Sequence, residues 1–86
     1  MKYYYVYILK SQRDGTYYIG YTEDLNRRME EHNSEGNSYT NRKAPWDLVY
    51  FEGYTTKRSA LAREKKLKTS SWHKKQLIER IRENER

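Results

Sequence analysis

Tyr5-Val6-Tyr7-Ile8-Leu9 and Tyr17-Tyr18-Ile19-Gly20-Tyr21-Thr22 decide the fold, with the polar Asp14-Gly15 pair lying between them. Over residues 3 to 10 the side chains alternate, Tyr4, Val6 and Ile8 on one face and Tyr3, Tyr5, Tyr7 and Leu9 on the other. Aromatic and β-branched types in that alternation predict a strand. A second strand is expected from Thr16 to Thr22. With Asp14-Gly15 as a two-residue hairpin turn, residue i opposes residue 29 minus i, so Tyr7 faces Thr22 and Ser11 faces Tyr18. Tyr7 and Tyr18 then project from one face, and a slip of a single residue would separate them.

Downstream, Thr22 is suited to cap a helix, and Glu23 and Asp24 suit its positive end. Leu25, Arg28, Met29 and His32 follow at helical spacing and form one stripe. Arg28 and His32 are one turn apart and can address a common point. Asn33 to Pro45 reads as a polar loop in which Tyr39, Arg42 and Lys43 are candidates to touch a ligand. Trp46 to Gly53 predicts a third strand, and Thr55 or Thr56 caps a helix whose stripe is Ala60, Leu61, Glu64, Leu67 and Lys68. After a break at Thr69-Ser70-Ser71, a last helix turns Trp72, Leu77, Ile78 and Ile81 inward and Lys74, Lys75, Arg80 and Arg82 outward.

The chain has 86 residues, 35% of them apolar, and a mean hydropathy of -1.33, but its 15% aromatic content is too high for a disordered composition. It therefore reads as a single small domain with a thin core. Cysteine is absent, which excludes disulfides, thiolate catalysis and cysteine zinc sites. Two histidines are too few for a histidine metal cage. With no apolar run long enough to span a bilayer and no signal-like opening, a cytoplasmic protein without membrane contact is expected. The net charge of +6 is placed unevenly: residues 57 to 86 hold eleven Lys or Arg against four Glu. Such a basic cluster suits a polyanion, most often nucleic acid, the alternative being a solvated helix face.

An inward Arg28, His32 and Glu64 near paired tyrosines needs a reason, because buried charge is costly unless paired or used. One account is purely structural: an ion pair from Glu64 to Arg28, with the tyrosines as amphipathic core residues.

The order Tyr5-Val6-Tyr7, Tyr18-Ile19-Gly20, Leu25-Asn26-Arg27-Arg28-Met29-Glu30-Glu31-His32 and Ala60-Leu61-Ala62-Arg63-Glu64 resembles the GIY-YIG nuclease superfamily over nearly the whole chain. It is most similar to small stand-alone bacterial members related to the nuclease domain of the excision-repair endonuclease subunit. The resemblance implies an α+β fold, a three-stranded antiparallel sheet flanked by about three helices, in one domain spanning 1–86. It implies a metal-dependent endonuclease that hydrolyses DNA phosphodiesters. Tyr7 and Tyr18 correspond to the motif tyrosines, Arg28 to the helix arginine, His32 to the residue one turn later, Glu64 to the metal carboxylate and Gly20 to the motif glycine, where backbone or phosphate could approach closely. Two positions depart from the pattern: Tyr5 replaces the first glycine, and Trp72 to Glu79 lacks the asparagine found in many relatives, Gln76 being the nearest substitute.

On this reading Glu64 holds Mg²⁺ or Mn²⁺ through oxygen, and Arg28 binds the scissile phosphate with paired donors that lysine lacks. Tyr7 or Tyr18 serves as general base or orients the water, and the sequence leaves open which. A tyrosine of ordinary pKa ~10 needs a neighbouring positive charge for that role. His32 orients the tyrosine or the phosphate. Arg42, Lys43, Lys65, Lys68, Lys74 and Lys75 are the expected phosphate contacts. The chain has no room for an attached target-reading domain, so recognition of DNA structure or damage is expected. RNA stands as an alternative substrate, and a homodimer or protein partner as the source of target choice. The chief rival is a non-catalytic nucleic-acid-binding module that keeps the nuclease fold.

Overall fold

The computed structural model describes residues 1–34 and 40–85. Tyr39 and Gly36 lie outside them. The elements run β1 (Tyr4–Ser11), β2 (Tyr17–Thr22), α1 (Leu25–Asn33), a single 3-10 turn (Thr40–Lys43), β3 (Trp46–Tyr54), α2 (Lys57–Thr69) and α3 (Ser71–Asn84). The strands form one antiparallel sheet in the order β2-β1-β3, which gives the α+β architecture expected.

The hairpin differs from its expected register by two residues: Tyr7 lies opposite Gly20 and Leu9 opposite Tyr18. The loop is Gln12-Arg13-Asp14-Gly15, and Gly15 alone takes the left-handed conformation (φ 76°) that L side chains rarely adopt. Side chains hold this wider loop: Ser11 Oγ accepts from the backbone N–H groups of Arg13 and Asp14, and Asp14 Oδ1 accepts from the N–H and hydroxyl of Thr16. A two-residue slip keeps the parity of a strand, so Tyr7 and Tyr18 still share a face.

Each sheet face is covered by its own layer. Val6, Ile8 and Ile19 pack with Ala60 and Leu67 of α2 and Leu77, Ile78 and Ile81 of α3. Tyr7, Leu9 and Trp46 pack on the other side with Leu25 and Met29 of α1. Asp24, not Thr22, caps α1, its carboxylate accepting from Arg27 N–H, while Thr22 Oγ accepts from Asp24 N–H. The far end of α1 is pinned to β3, since the Asn33 amide donates to the Trp46 carbonyl at 3.3 Å and accepts from Trp46 N–H at 2.7 Å. Thr56 and Ser70 cap α2 and α3.

Three positions expected inward, Leu61, Lys68 and Trp72, are exposed, Trp72 because it lies off the Leu77-Ile78-Ile81 stripe at the first turn of α3. Arg63 turns toward the sheet, forking onto Glu52 of β3 with two 3.0 Å hydrogen bonds. β3 carries a bulge: Tyr50 opposes Ile8 and Leu48 opposes Leu9, leaving Val49 as the extra residue. Val49 and Tyr50 both pack toward α2 and α3, while Leu48 and Trp46 return to the α1 side.

Candidate active site

Tyr7 stands at the centre of the α1-covered face and is 1% exposed. Its ring leans across to β2 and lies over Gly20, where an added Cβ would overlap the hydroxyl end of the phenol. The motif glycine therefore makes room for Tyr7 itself, where close approach of backbone or phosphate was expected. Tyr18 lies two residues back along β2, its ring 6.4 Å from that of Tyr7. His32, fully buried in the last turn of α1, meets both rings edge to face at 5.7 and 5.0 Å, and Trp46 closes the far side of Tyr18 at 6.0 Å. His32 Nε2 lies 2.8 Å from the Tyr7 hydroxyl. One turn earlier, Arg28 donates Nε–H to the same oxygen at 3.3 Å and a terminal N–H to Glu31 at 3.0 Å. The helical stripe thus converges on one phenol oxygen.

Burial, helped by the Arg28 charge, pushes the His32 pKa down to about 4, so the imidazole is neutral near pH 7. Its Nδ1 is buried with no hydrogen-bond partner among the described residues. With its proton on Nε2 the imidazole donates to the Tyr7 oxygen, and with its proton on Nδ1 it accepts from the phenol. Burial pushes Tyr7 up to about 12, with Arg28 pulling the other way. Burial lowers the Arg28 pKa, but its hydrogen bonds to Glu31 and Tyr7 outweigh that, and the guanidinium stays charged.

Glu64 lies on α2, which covers the opposite face of the sheet. α2 packs on β1 and β2, and the Glu64 charge is felt at both Tyr7 and Tyr21, where it opposes ionisation. The carboxylate pairs with Lys68 at 3.1 Å, and Arg28 takes Glu31 instead. The Glu64–Arg28 ion pair of the purely structural account gives way to two local pairs. Among the described residues there is no cluster of three or more His, Cys, Asp or Glu able to hold a metal. A single half-buried carboxylate fits a hard divalent cation that keeps most of its water, and does not fit a protein-caged ion.

The basic residues divide. Lys43 and Lys74 line one cleft with Thr16, Tyr17, Tyr18 and Trp46, and Lys68 adjoins Glu64. Lys43 also pairs with Asp14 at 3.5 Å. Lys75 lies with Arg82 in a groove beside Tyr17, while Arg42 and Lys65 are exposed and no contact ties them to the tyrosines. Gln76 lines a separate cleft with Arg63, Trp72 and His73. Sequence reasoning missed Glu31, the partner of Arg28, although its i+3 spacing signals the pair. It also missed Tyr21, which donates to Glu23 and packs on the α2 side, since strand alternation puts Tyr21 on the face away from Tyr18.

Residues 3–78 match the family described as the GIY-YIG catalytic domain, a match that carries a nuclease as the general kind of activity and nucleic acid as partner. Curated relatives include a UPF0213 protein of Haloquadratum walsbyi, 45% identical over 77 residues covering 88% of this chain and 85% of that protein. A UPF0213 protein of Staphylococcus aureus is 47% identical over 72 residues, 83% of this chain and 87% of the relative. The solution NMR structure of a UPF0213 protein from Bacillus halodurans superposes with a TM-score of 0.57 at 38% identity, covering 90% of this chain and 83% of that one. With the family match spanning residues 3–78 and relatives 45% and 47% identical over most of their length, this chain belongs to the GIY-YIG family.

Proposed function

We propose that the protein is a metal-dependent endonuclease that hydrolyses DNA phosphodiesters, with Tyr7 as the general base. The observation that carries the reading is the convergence of Arg28 Nε–H and His32 Nε2 on the Tyr7 oxygen, and in this reading the imidazole carries its proton on Nε2 so that both donate. Two donors on one phenol oxygen stabilise its ionised form and leave its own proton as the one to be exchanged with a substrate water. Arg28, one third exposed, covers Tyr7 and presents its remaining N–H groups outward, where a phosphate would find paired donors. Tyr18 packs against His32 and keeps the imidazole edge on Tyr7. Mg²⁺ or Mn²⁺ held at Glu64 would supply positive charge to the developing oxyanion and the leaving oxygen. Lys43, Lys68 and Lys74 contact flanking phosphates. Nothing in this set reads base edges, which favours recognition of DNA structure or damage, and the same groups would accept an RNA phosphate.

The non-catalytic alternative draws on the near-complete burial of the Tyr7 hydroxyl. One experiment separates the two. Labelled single-stranded, duplex, flapped and four-way-junction DNA is incubated with wild type, Glu64→Ala, Arg28→Ala and Tyr7→Phe, in Mg²⁺, Mn²⁺ or EDTA. Wild type cuts only with metal, and each variant loses about 10²-fold or more. Because the Tyr7 pKa lies near 12, the base form grows with pH, so the wild-type rate climbs from pH 7 to 9.5. Binding without cutting in every condition would leave the module reading, and a flat pH profile would remove Tyr7 from the role of base.

A further inference from the structure

The face of the sheet that carries Tyr7 continues beyond α1. Along β1 it presents Tyr5 and Tyr3, and along β3 it presents Phe51, which lies directly opposite Tyr7 in the register. Their rings form a connected row: Phe51 meets Tyr5 edge to face at 6.0 Å, and Tyr5 meets Tyr3 at 6.5 Å. Gly53 lies opposite Tyr5, and an added Cβ there would come into ordinary contact with that ring. Phe51 and Tyr3 are 53% and 41% exposed. An apolar ring in water has a cost, and two exposed rings joined through the half-buried Tyr5 mark a surface made to be covered.

We infer that Phe51, Tyr5 and Tyr3 form a stacking platform for unpaired nucleobases of the strand whose phosphate lies at Arg28. The inference rests on the nuclease reading for the position of that phosphate. Three features favour bases over another occupant. The platform is continuous with the phosphate-facing set, since Phe51 and Tyr7 are cross-strand neighbours. It is built from π-faces, which accept any base by stacking, whereas an aliphatic surface would not discriminate stacking partners. Its sheet residues carry no charge, the cation beside Tyr7 is the Arg28 guanidinium with one N–H group taken by Glu31, and a strand with anionic links and aromatic rings matches an uncharged platform next to a guanidinium. Bases locked in a duplex cannot offer their faces, so the platform selects frayed, flapped or single-stranded segments.

The test is fluorescence anisotropy with a labelled oligo-dT and a blunt duplex, in EDTA so that nothing is cut, for wild type, Phe51→Ala, Tyr3→Ala, the double variant and Phe51→Trp. Far-UV circular dichroism checks that each remains folded, as expected for exposed rings. Each alanine weakens oligo-dT binding by about tenfold. The salt dependence of binding keeps its slope because no phosphate contact is lost, duplex binding changes less than twofold, and Phe51→Trp restores affinity. Unchanged oligo-dT binding in the folded double variant overturns the platform, and so does an equal loss on duplex. A wild-type dimer that the double variant converts to monomer in sedimentation would assign the face to a second copy instead. Cleavage reports separately. A wild type that cuts while alanine variants bind normally loses only the platform. A wild type that never cuts yet binds through these rings keeps the platform and loses the catalytic reading.

Discussion

A buried neutral imidazole between two phenols makes stability depend on pH through one residue. The folded His32 pKa of about 4 lies below its ordinary 6.5. As pH falls, the unfolded chain therefore takes up the proton first. The contribution is fully present above pH 6.5 and is lost as pH drops toward 4, amounting to about 3 kcal/mol. Urea denaturation at pH 7.5 and 4.5 checks this, since wild type loses that much more stability than His32→Gln, and equal losses would refute it. Gly20 is a second pressure point. A methyl group there enters the space of the Tyr7 phenol, so Gly20→Ala costs about 1–3 kcal/mol and carries the hydroxyl away from Arg28. A lowered melting temperature together with reduced cutting is expected, and an unchanged melting temperature would show that the ring finds room elsewhere. Arg28 and His32 were legible in the sequence because a four-residue helical spacing leaves them no choice but a shared face. The role of Gly20 was not, because it depends on which way a tyrosine on the neighbouring strand leans.

Glu52 joins two elements. Its carboxylate, in β3, accepts both N–H groups of the Arg63 fork and the hydroxyls of Tyr50 and Tyr54. Arg63 precedes Glu64, so the fork sets the rotation of α2 about its axis and with it the direction in which Glu64 points. Glu52→Gln keeps the shape, halves the acceptor capacity facing Arg63 and costs about 1–2 kcal/mol, discounted for partial exposure. Chemical denaturation reads the stability. Cleavage should fall further than a Tyr50→Phe control of similar stability, and equal loss would make the fork a staple with no bearing on Glu64. The helices were legible because caps and stripes are local: Thr56 and Ser70 cap where hydroxyls precede apolar runs. The hairpin register was not, since Ser11 and Asp14 side chains stabilise a wider loop than Asp14-Gly15 alone suggests, and the inward turn of Arg63 was hidden because its partner lies eleven residues away on another element.

Across the whole molecule, helices cover both faces of one sheet, and the site gathers where α1 and α2 both reach β2. Among the described residues no helix is long and apolar enough to cross a membrane. The basic C-terminal helices sit behind the sheet from Tyr7, and the cleft that holds Lys74 with Lys43 and Tyr18 connects the two sides. Lys74→Ala should weaken binding to all nucleic acids alike and lower the slope of log K against log salt by about one; an unchanged slope would place the strand away from this cleft. The charge asymmetry was visible in composition, but its position relative to the tyrosines required knowing which face each helix covers. Val49 gives the sheet something like a reading frame. Upstream of the bulge Trp46 and Leu48 are in phase with Tyr7, and downstream Phe51 and Gly53 are in phase with it as well, although an even number and an odd number could not both be so in an unbroken strand. Straightening the strand with Val49 kept would act as a frameshift written in three dimensions, in which Trp46 exchanges faces and leaves the wall of Tyr18, whereas deleting Val49 would close the bulge and leave Trp46 in phase.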